Sequence, residues 1–289
     1  MKDFMITTEN TADLPDKYVL ENELGIMALT YMIDGNVYDK DNSLPYKEFY
    51  DRIRNGSMPT TSQINPETAR EKFQSIVDKG MDVLHISFSS GLSGSYNSAR
   101  IAAEEMKEEN PDARIIVVDS LCASLGQGLI VHKAVEMKKA GKTLDEIVKW
   151  LEENKLHICH MVAVDDLNHL YRGGRVSKSA AFIGTMINVK PLIHVNDEGK
   201  LIPIAKVRGR KKSLTALVDS MEAQMGSCRE QNDIVFISHA DCLEDAEFVA
   251  AQIRDRFGIE KFIIDFIGPV IGSHTGPGTV AVFFMGEKR

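Results

Sequence analysis

Three short segments of the 289-residue chain gather hydroxyls, glycines and an imidazole in patterns suited to holding an anion. The first is Ser89-Ser90-Gly91-Leu92-Ser93-Gly94-Ser95-Tyr96-Asn97-Ser98-Ala99, which follows a strand-like run and opens a helical one. Small residues let a ligand approach the backbone, free N–H groups at a helix start favour negative charge, and Ser93 and Ser95 add hydroxyls. The second, Pro59-Thr60-Thr61-Ser62-Gln63-Ile64-Asn65-Pro66, is a hydroxyl-rich loop before another helix, whose plainer reading is the helix cap itself. The third, Gly268 to Thr279, surrounds His274 and Thr275 with Gly and Pro and reads as a tightly specified loop. Its imidazole could donate a hydrogen bond to a carboxylate or phosphate.

Other chemistries fit less well. Gly91-x-Ser93-x-Ser95 nearly matches the G-x-S-x-G nucleophile elbow, but Ser stands where the last Gly belongs. A serine esterase acting through Ser93 would also need a positioned His and acid. A small-molecule phosphotransferase is the other enzymatic alternative, yet the chain carries neither G-x-x-x-x-G-K-[ST] nor a G-x-G-x-x-G opening a helix. His239-x-Asp241 lacks further ligands at convincing spacing, so no metal is expected. Cys122, Cys159, Cys228 and Cys242 form no C-x-x-C pair and read as ordinary thiols of a reducing compartment. Arg172, Arg175 and Lys178 flank Gly173-Gly174, and the apolar run Ala180 to Val189 follows. These are either a solvated loop and a core helix or a cationic rim beside an apolar slot. Lys206 to Lys212 reads as a solvated hairpin end.

Positioning these groups requires a scaffold, and the chain has the material for one. Apolar residues are 43% and charged residues 26%, as in ordinary globular proteins. The net charge of −8 argues against a generic nucleic-acid binder. No apolar run approaches the ~20 residues of a membrane span, and Met1 to Thr8 lacks the apolar stretch of a signal peptide, so a cytoplasmic protein is expected. Strand-type runs at 4–8, 26–31, 83–87 and 115–119 alternate with helical runs at 44–54, 66–79, 99–107, 125–139 and 144–154. Asn65 and Thr143 read as N-caps, with Glu146 completing a capping box. This half predicts an α/β unit with a mostly parallel sheet flanked by helices. The second half predicts strands at 158–164, 189–195, 201–207, 234–238, 262–267 and 280–285, helices at 214–225 and 246–257, and a hairpin at 196–199. That is a mixed α+β unit, and the boundary is placed near residue 157, giving domains 1–157 and 158–289.

Seven segments in order now carry a resemblance. They are Ile6-Thr7-Thr8-Glu9-Asn10-Thr11-Ala12-Asp13-Leu14-Pro15, Thr60-Thr61-Ser62-Gln63, Ser90-Gly91-Leu92-Ser93-Gly94-Ser95-Tyr96, Val118-Asp119-Ser120, Gly173-Gly174-Arg175-Val176-Ser177, Lys190-Pro191-Leu192 and Gly272-Ser273-His274-Thr275-Gly276-Pro277-Gly278. The set resembles the DegV family of fatty-acid-binding proteins, which includes the binding subunit of bacterial fatty acid kinase. Two positions depart from it: Glu9-Asn10 stands where Asp-Ser or Asp-Asn is usual, and Ile64 where Pro is frequent.

The resemblance implies a two-domain α/β fold with a long-chain fatty acid between the domains. Hydroxyls at Thr61 and Ser93 would hold the carboxylate with His274 nearby, and Ser62, Gly94 and Thr275 complete the expected head-group set. The acyl pocket is expected at Phe182, Ile183, Met186, Ile187 and Leu192. The bound lipid is the ligand, no cofactor is expected, and a separate ATP-dependent kinase subunit would make the acyl phosphate. Arg172, Arg175 and Lys178 are expected at the rim, where they could neutralise the phosphate or meet the partner. Transient membrane contact is compatible with this reading, and the binding subunit itself is expected to be non-catalytic.

Overall fold

The computed structural model describes residues 3–177 and 188–289. Lys178, Phe182, Ile183, Met186 and Ile187 therefore lie outside the described residues.

The first sheet is parallel throughout, in the order β2 (Gly25–Met27), β1 (Phe4–Glu9), β6 (Asp82–Ser87), β7 (Ile115–Asp119). Its strands are apolar on both faces because both faces are covered. Helices α3 (Pro66–Val77) and α4 (Ser95–Glu109) pack on one face through Phe73, Ile76, Ala99 and Ala102. On the other lies α5 (Leu125–Lys139), where Phe4, Ile6, Leu84 and Ile86 meet Leu125, Leu129 and Ile130. Helix α1 (Asp16–Glu21) precedes β2, and α6 (Leu144–Asn154) follows α5 with the expected capping box closed in both directions.

The second sheet has the order β10 (Leu201–Arg208), β9 (Val189–Val195), β8 (Ile158–Ala163), β13 (Val280–Met285), β11 (Ile234–His239), β12 (Lys261–Phe266). All neighbours are antiparallel except β11 and β12. One face carries Met161, Ala163, Val282 and Phe284 against α8 (Arg210–Met225) and α9 (Leu243–Phe257). The opposite face carries Val162, Ala281 and Phe283 and meets α5. Helix α5 is thus shared between the two sheets, which explains why every residue from Leu125 to Val131 is buried.

A small antiparallel sheet, β4 (Asn36–Tyr38), β3 (Thr30–Ile33), β5 (Thr60–Ser62), caps the structure with α2 (Tyr46–Arg54). Two expectations change here. The run 26–31 is two strands in two different sheets, because the Asn10 side-chain amide occupies both backbone groups of Leu29, donating to its carbonyl and accepting its N–H. The hydroxyl-rich loop at Thr60–Ser62 is a strand, paired to Thr30–Met32. Helix α7 (Asn168–Arg172) precedes Gly173-Gly174.

The segment expected as a loop around His274 is instead a helix, α10 (Pro269–Thr275). Pro269 sits in its first turn, where a missing N–H is harmless, and Gly276 ends it at φ 75. Its packing holds it: the Tyr50 hydroxyl donates to Ile267 O at 2.6 Å just before it, and Gly272 leaves room for the Tyr50 ring.

Candidate functional site

A cavity of about 410 Å³ opens between the inner face of the second sheet and a roof made by β5, α10 and the Ser89–Ser95 turn. This lies within the ~300–1,000 Å³ usual for small-molecule sites. The sheet wall is built in rungs. Val162, Ile193, Ala281 and Ser238 lie side by side across four strands by register, and His160, Val195 and Phe283 form the next rung. Opposite stand Phe88, Leu92, Ile267, Val270 and Ile271.

Thr61, Ser62, Ser93, His274 and Thr275 all line this cavity, at its end beside α10. Pairing of Thr61 with Tyr31 on β3 aims its hydroxyl at the helix, and Thr61 Oγ1 lies 2.8 Å from His274 Nε2. His274 Nδ1 is buried without a hydrogen-bond partner. Gly173 abuts it so closely that a Cβ there would overlap Nδ1. Burial, reinforced by the charge of Arg175, pushes the His274 pKa down to about 4, so the ring is neutral at physiological pH. Ser93 Oγ lies 2.9 Å from Ser95 Oγ and accepts the Ser95 N–H at the start of α4. Its partners are a serine hydroxyl and an amide, not an imidazole. Gly94 supports the site from behind rather than lining it: a Cβ there would run into the Gln63 amide, which does line the cavity.

The cationic residues separate. Arg175 lines the cavity and ties the Leu92 turn to Gly173, with Nε donating to Leu92 O at 3.1 Å and Nη1 donating to Gly173 O. Burial lowers its pKa. Arg172 is exposed and bonds His169 Nδ1 at 2.8 Å, away from the cavity lining. Leu192 does not line the cavity either. It points to the other face of β9 and packs with Met161 and Leu214, while its neighbours Ile193 and Val195 face inward.

Sequence reasoning missed most of the sheet wall and His160. The signal was the alternation along β8 and β13, which puts Val162 and Ala281 on the face opposite Met161 and Val282. His160 is fully enclosed, with Nδ1 3.0 Å from Ile158 O and Nε2 accepting the Ala123 N–H at 3.2 Å. Burial holds its pKa well below the usual imidazole range, so it behaves as a neutral wall residue.

The unusual Glu9 is buried beneath the roof. Its carboxylate accepts from Ser87 Oγ (2.6 Å), Phe88 N (2.9 Å) and Gln127 Nε2 (2.7 Å), with His85 Nε2 at 3.2 Å. Burial alone would raise its pKa, but His85 and these donors outweigh that and lower it. Glu9 thereby fixes the strand end that launches the Ser89–Ser95 turn. Among the described residues no group of three or more His, Cys, Asp or Glu is placed to hold a metal, and no helix is long and apolar enough to cross a membrane.

The family model described as "Uncharacterised protein, DegV family" matches residues 3–287, and the chain belongs to the DegV family. A DegV domain-containing protein of Clostridium perfringens is 47% identical over 291 residues, covering 100% of this chain and 99% of that one. Two solved structures share the fold. A Thermus thermophilus DegV family protein, described by its fatty acid binding, has a TM-score of 0.87 at 28% identity, covering 99% of this chain and 100% of that one. DegV of Bacillus subtilis, described as a fatty acid binding protein, has a TM-score of 0.84 at 27% identity with the same coverage.

Proposed function

We propose that this chain binds a long-chain fatty acid, encloses its tail in the cavity, and presents the carboxylate to a separate ATP-dependent kinase subunit that converts it to an acyl phosphate. The observation that carries the reading is one cavity with two chemistries: hydroxyls and a neutral imidazole beside α10, and a sheet wall that is mostly apolar, with Val162, Ile193, Val195, Ala281 and Phe283. The fatty acid binding described for the Thermus and Bacillus relatives supports it. Each buried methylene contributes about 0.8 kcal/mol. A tail of ~14 methylenes therefore gains on the order of 11 kcal/mol, against ~4–15 kcal/mol for association. Tight binding requires the whole tail to be enclosed.

A carboxylate entering such a site needs donors. Thr61, Ser62, Ser93 and Thr275 supply hydroxyls in this reading, and His274 supplies a ring N–H. Arg175 neutralises the phosphate that the kinase step adds. Its replacement by Gln should slow phosphorylation or weaken the partner, and intact rates of both would sink that role. Ser93 serves in this reading as a donor rather than a nucleophile, because its neighbours are the Ser95 hydroxyl and N–H and not an imidazole. The same reading places the chain in the cytoplasm, with lipid collected by transient contact with a membrane. It also keeps 1–157 and 158–289 as two domains with the ligand between them.

The decisive experiment is mass spectrometry of the purified protein, native and then after solvent extraction. A stoichiometric fatty acid is the expected result. A protein that is empty and takes up no added palmitic acid overturns the reading.

A further inference from the structure

Two polar side chains interrupt the apolar sheet wall, His160 and Ser238. Ser238, fully buried, places a hydroxyl in the rung of Val162, Ile193 and Ala281. Ser238 Oγ lies 3.1 Å from Ser124 Oγ, which in turn lies 2.5 Å from Asp13 Oδ2. Asp13 Oδ1 accepts the Gly268 N–H at 3.0 Å. Asp13 does not touch the cavity. It faces a second hollow of about 390 Å³ that also contains Asn10, Tyr46 and Pro269. A chain of three side chains thus leads from the second hollow to the lipid cavity, which Ser124 and Ser238 both line.

The backbone indicates that these hydroxyls are held in place against strain. Ser124 has φ 53 and ψ −146, a conformation natural to glycine, and Asp13 has φ 50 and ψ 26. Glycine would relax position 124 but would break the chain of hydroxyls.

The proton order follows from the chemistry. The enclosed Asp13 carboxyl holds its proton and hydrogen-bonds Ser124, and Ser124 Oγ then donates to Ser238 Oγ. That leaves the Ser238 hydroxyl proton and a lone pair for a group in the cavity. The structure points to a hydrogen-bond partner for a hydroxyl partway along the tail. We propose that Ser238, backed by Ser124 and Asp13, is a specificity site that lets this cavity take a long-chain fatty acid carrying a mid-chain hydroxyl. The proposal rests on the fatty-acid reading above and names a subclass of its ligand.

A hydroxyl buried without a partner weakens binding about ten-fold or more, whereas one that meets a partner loses little or gains. The test compares octadecanoic acid with 10-hydroxyoctadecanoic acid by calorimetric titration of the delipidated protein. The hydroxy acid should bind the wild-type chain at least as tightly as the plain acid. In Ser238→Ala the affinity ratio should swing about ten-fold toward the plain acid. A hydroxy acid that binds wild type ten-fold more weakly, or an unchanged ratio in Ser238→Ala, overturns the proposal. The ligand comparison on wild type stands even if the variant fails to fold. Failure of both acids to bind wild type would instead overturn the fatty-acid reading itself.

Discussion

Thr61 Oγ1 and His274 Nε2 lie 2.8 Å apart although 213 residues separate them in the chain. Each group orients the other, so their contributions should not be independent. Thr61→Val and His274→Ala should each weaken palmitic acid binding about ten-fold. The double variant should lose less than the product of the two. Calorimetric titration of the four proteins gives the coupling directly, and multiplicative losses would mean that the pair does not act together.

Gly173 sets how close α7 comes to the imidazole. Its backbone, φ −72 and ψ −6, suits any residue, so Ala at 173 carries no backbone strain. The added Cβ would nonetheless overlap His274 Nδ1. Gly173→Ala should therefore displace the ring and reduce binding about as much as His274→Ala, while the far-ultraviolet circular dichroism stays native. Full affinity in Gly173→Ala would show that the ring has room to move.

Burial pushes the Asp13 pKa up to about 8, with Asp265 adding to the rise and the Ser124 and Gly268 hydrogen bonds opposing it. Tyr46 and Tyr50 also feel this carboxyl, and burial raises both of their pKa values. In the unfolded chain Asp13 ionises near 3.9. The folded state is therefore favoured below about pH 4 and loses that advantage as pH rises toward 8, by roughly 5 kcal/mol at most. Asp13→Asn keeps the acceptor for Gly268 and cannot ionise. The stability of the variant relative to wild type should climb between pH 4 and pH 8 in urea melts. A flat difference would rule out the raised pKa.

For His274 the sign is opposite. A folded pKa near 4 means that the unfolded chain binds its proton first as pH falls. Stability is complete above the unfolded value near 6.5 and drains away as pH drops toward 4. A carboxylate bound against the ring should raise its pKa. The expected observation is an upward move of the His274 Cε1–H titration in NMR on adding palmitic acid, and an unmoved titration would argue against contact with the head group.

Arg289 gathers backbone carbonyls from both halves. Its guanidinium donates to Lys155 O (2.7 Å), Ile158 O (3.0 Å), Leu121 O (2.7 Å) and Asn196 O (3.1 Å). Arg289→Ala leaves part-buried acceptors without donors and should destabilise the fold by about 2–4 kcal/mol. A loss under ~0.5 kcal/mol in urea denaturation would mean that water replaces the guanidinium freely.

The strands were legible because their apolar runs are short, as in Ile158–Ala163, and in Ile115–Asp119 also β-branched. Which face each residue takes was harder to read. Leu192 and Ile193 are both apolar neighbours, and only the pairing with β8 decides that Ile193 looks into the cavity. Thr61, Ser93 and His274 stood out by composition, and the fold brings them to one end of one cavity. Helix α10 did not stand out, since seven residues containing Pro269 and Gly272 have weak helical character of their own and depend on packing against Tyr50. Ser238 carried no local signal at all. Its importance comes from a partner 114 residues away.

The placement of α10 has a consequence for how the protein matures. The imidazole that completes the cavity's polar end is supplied by one of the last segments of the chain, on a helix that must seat against α2 and β5 from its first quarter. A growing chain can form the parallel sheet long before it can grip anything. A chain cut short of residue 269 would lack the clasp and also β13, whose Ala281 and Phe283 form the centre of the wall, so the cavity closes only with the final strand.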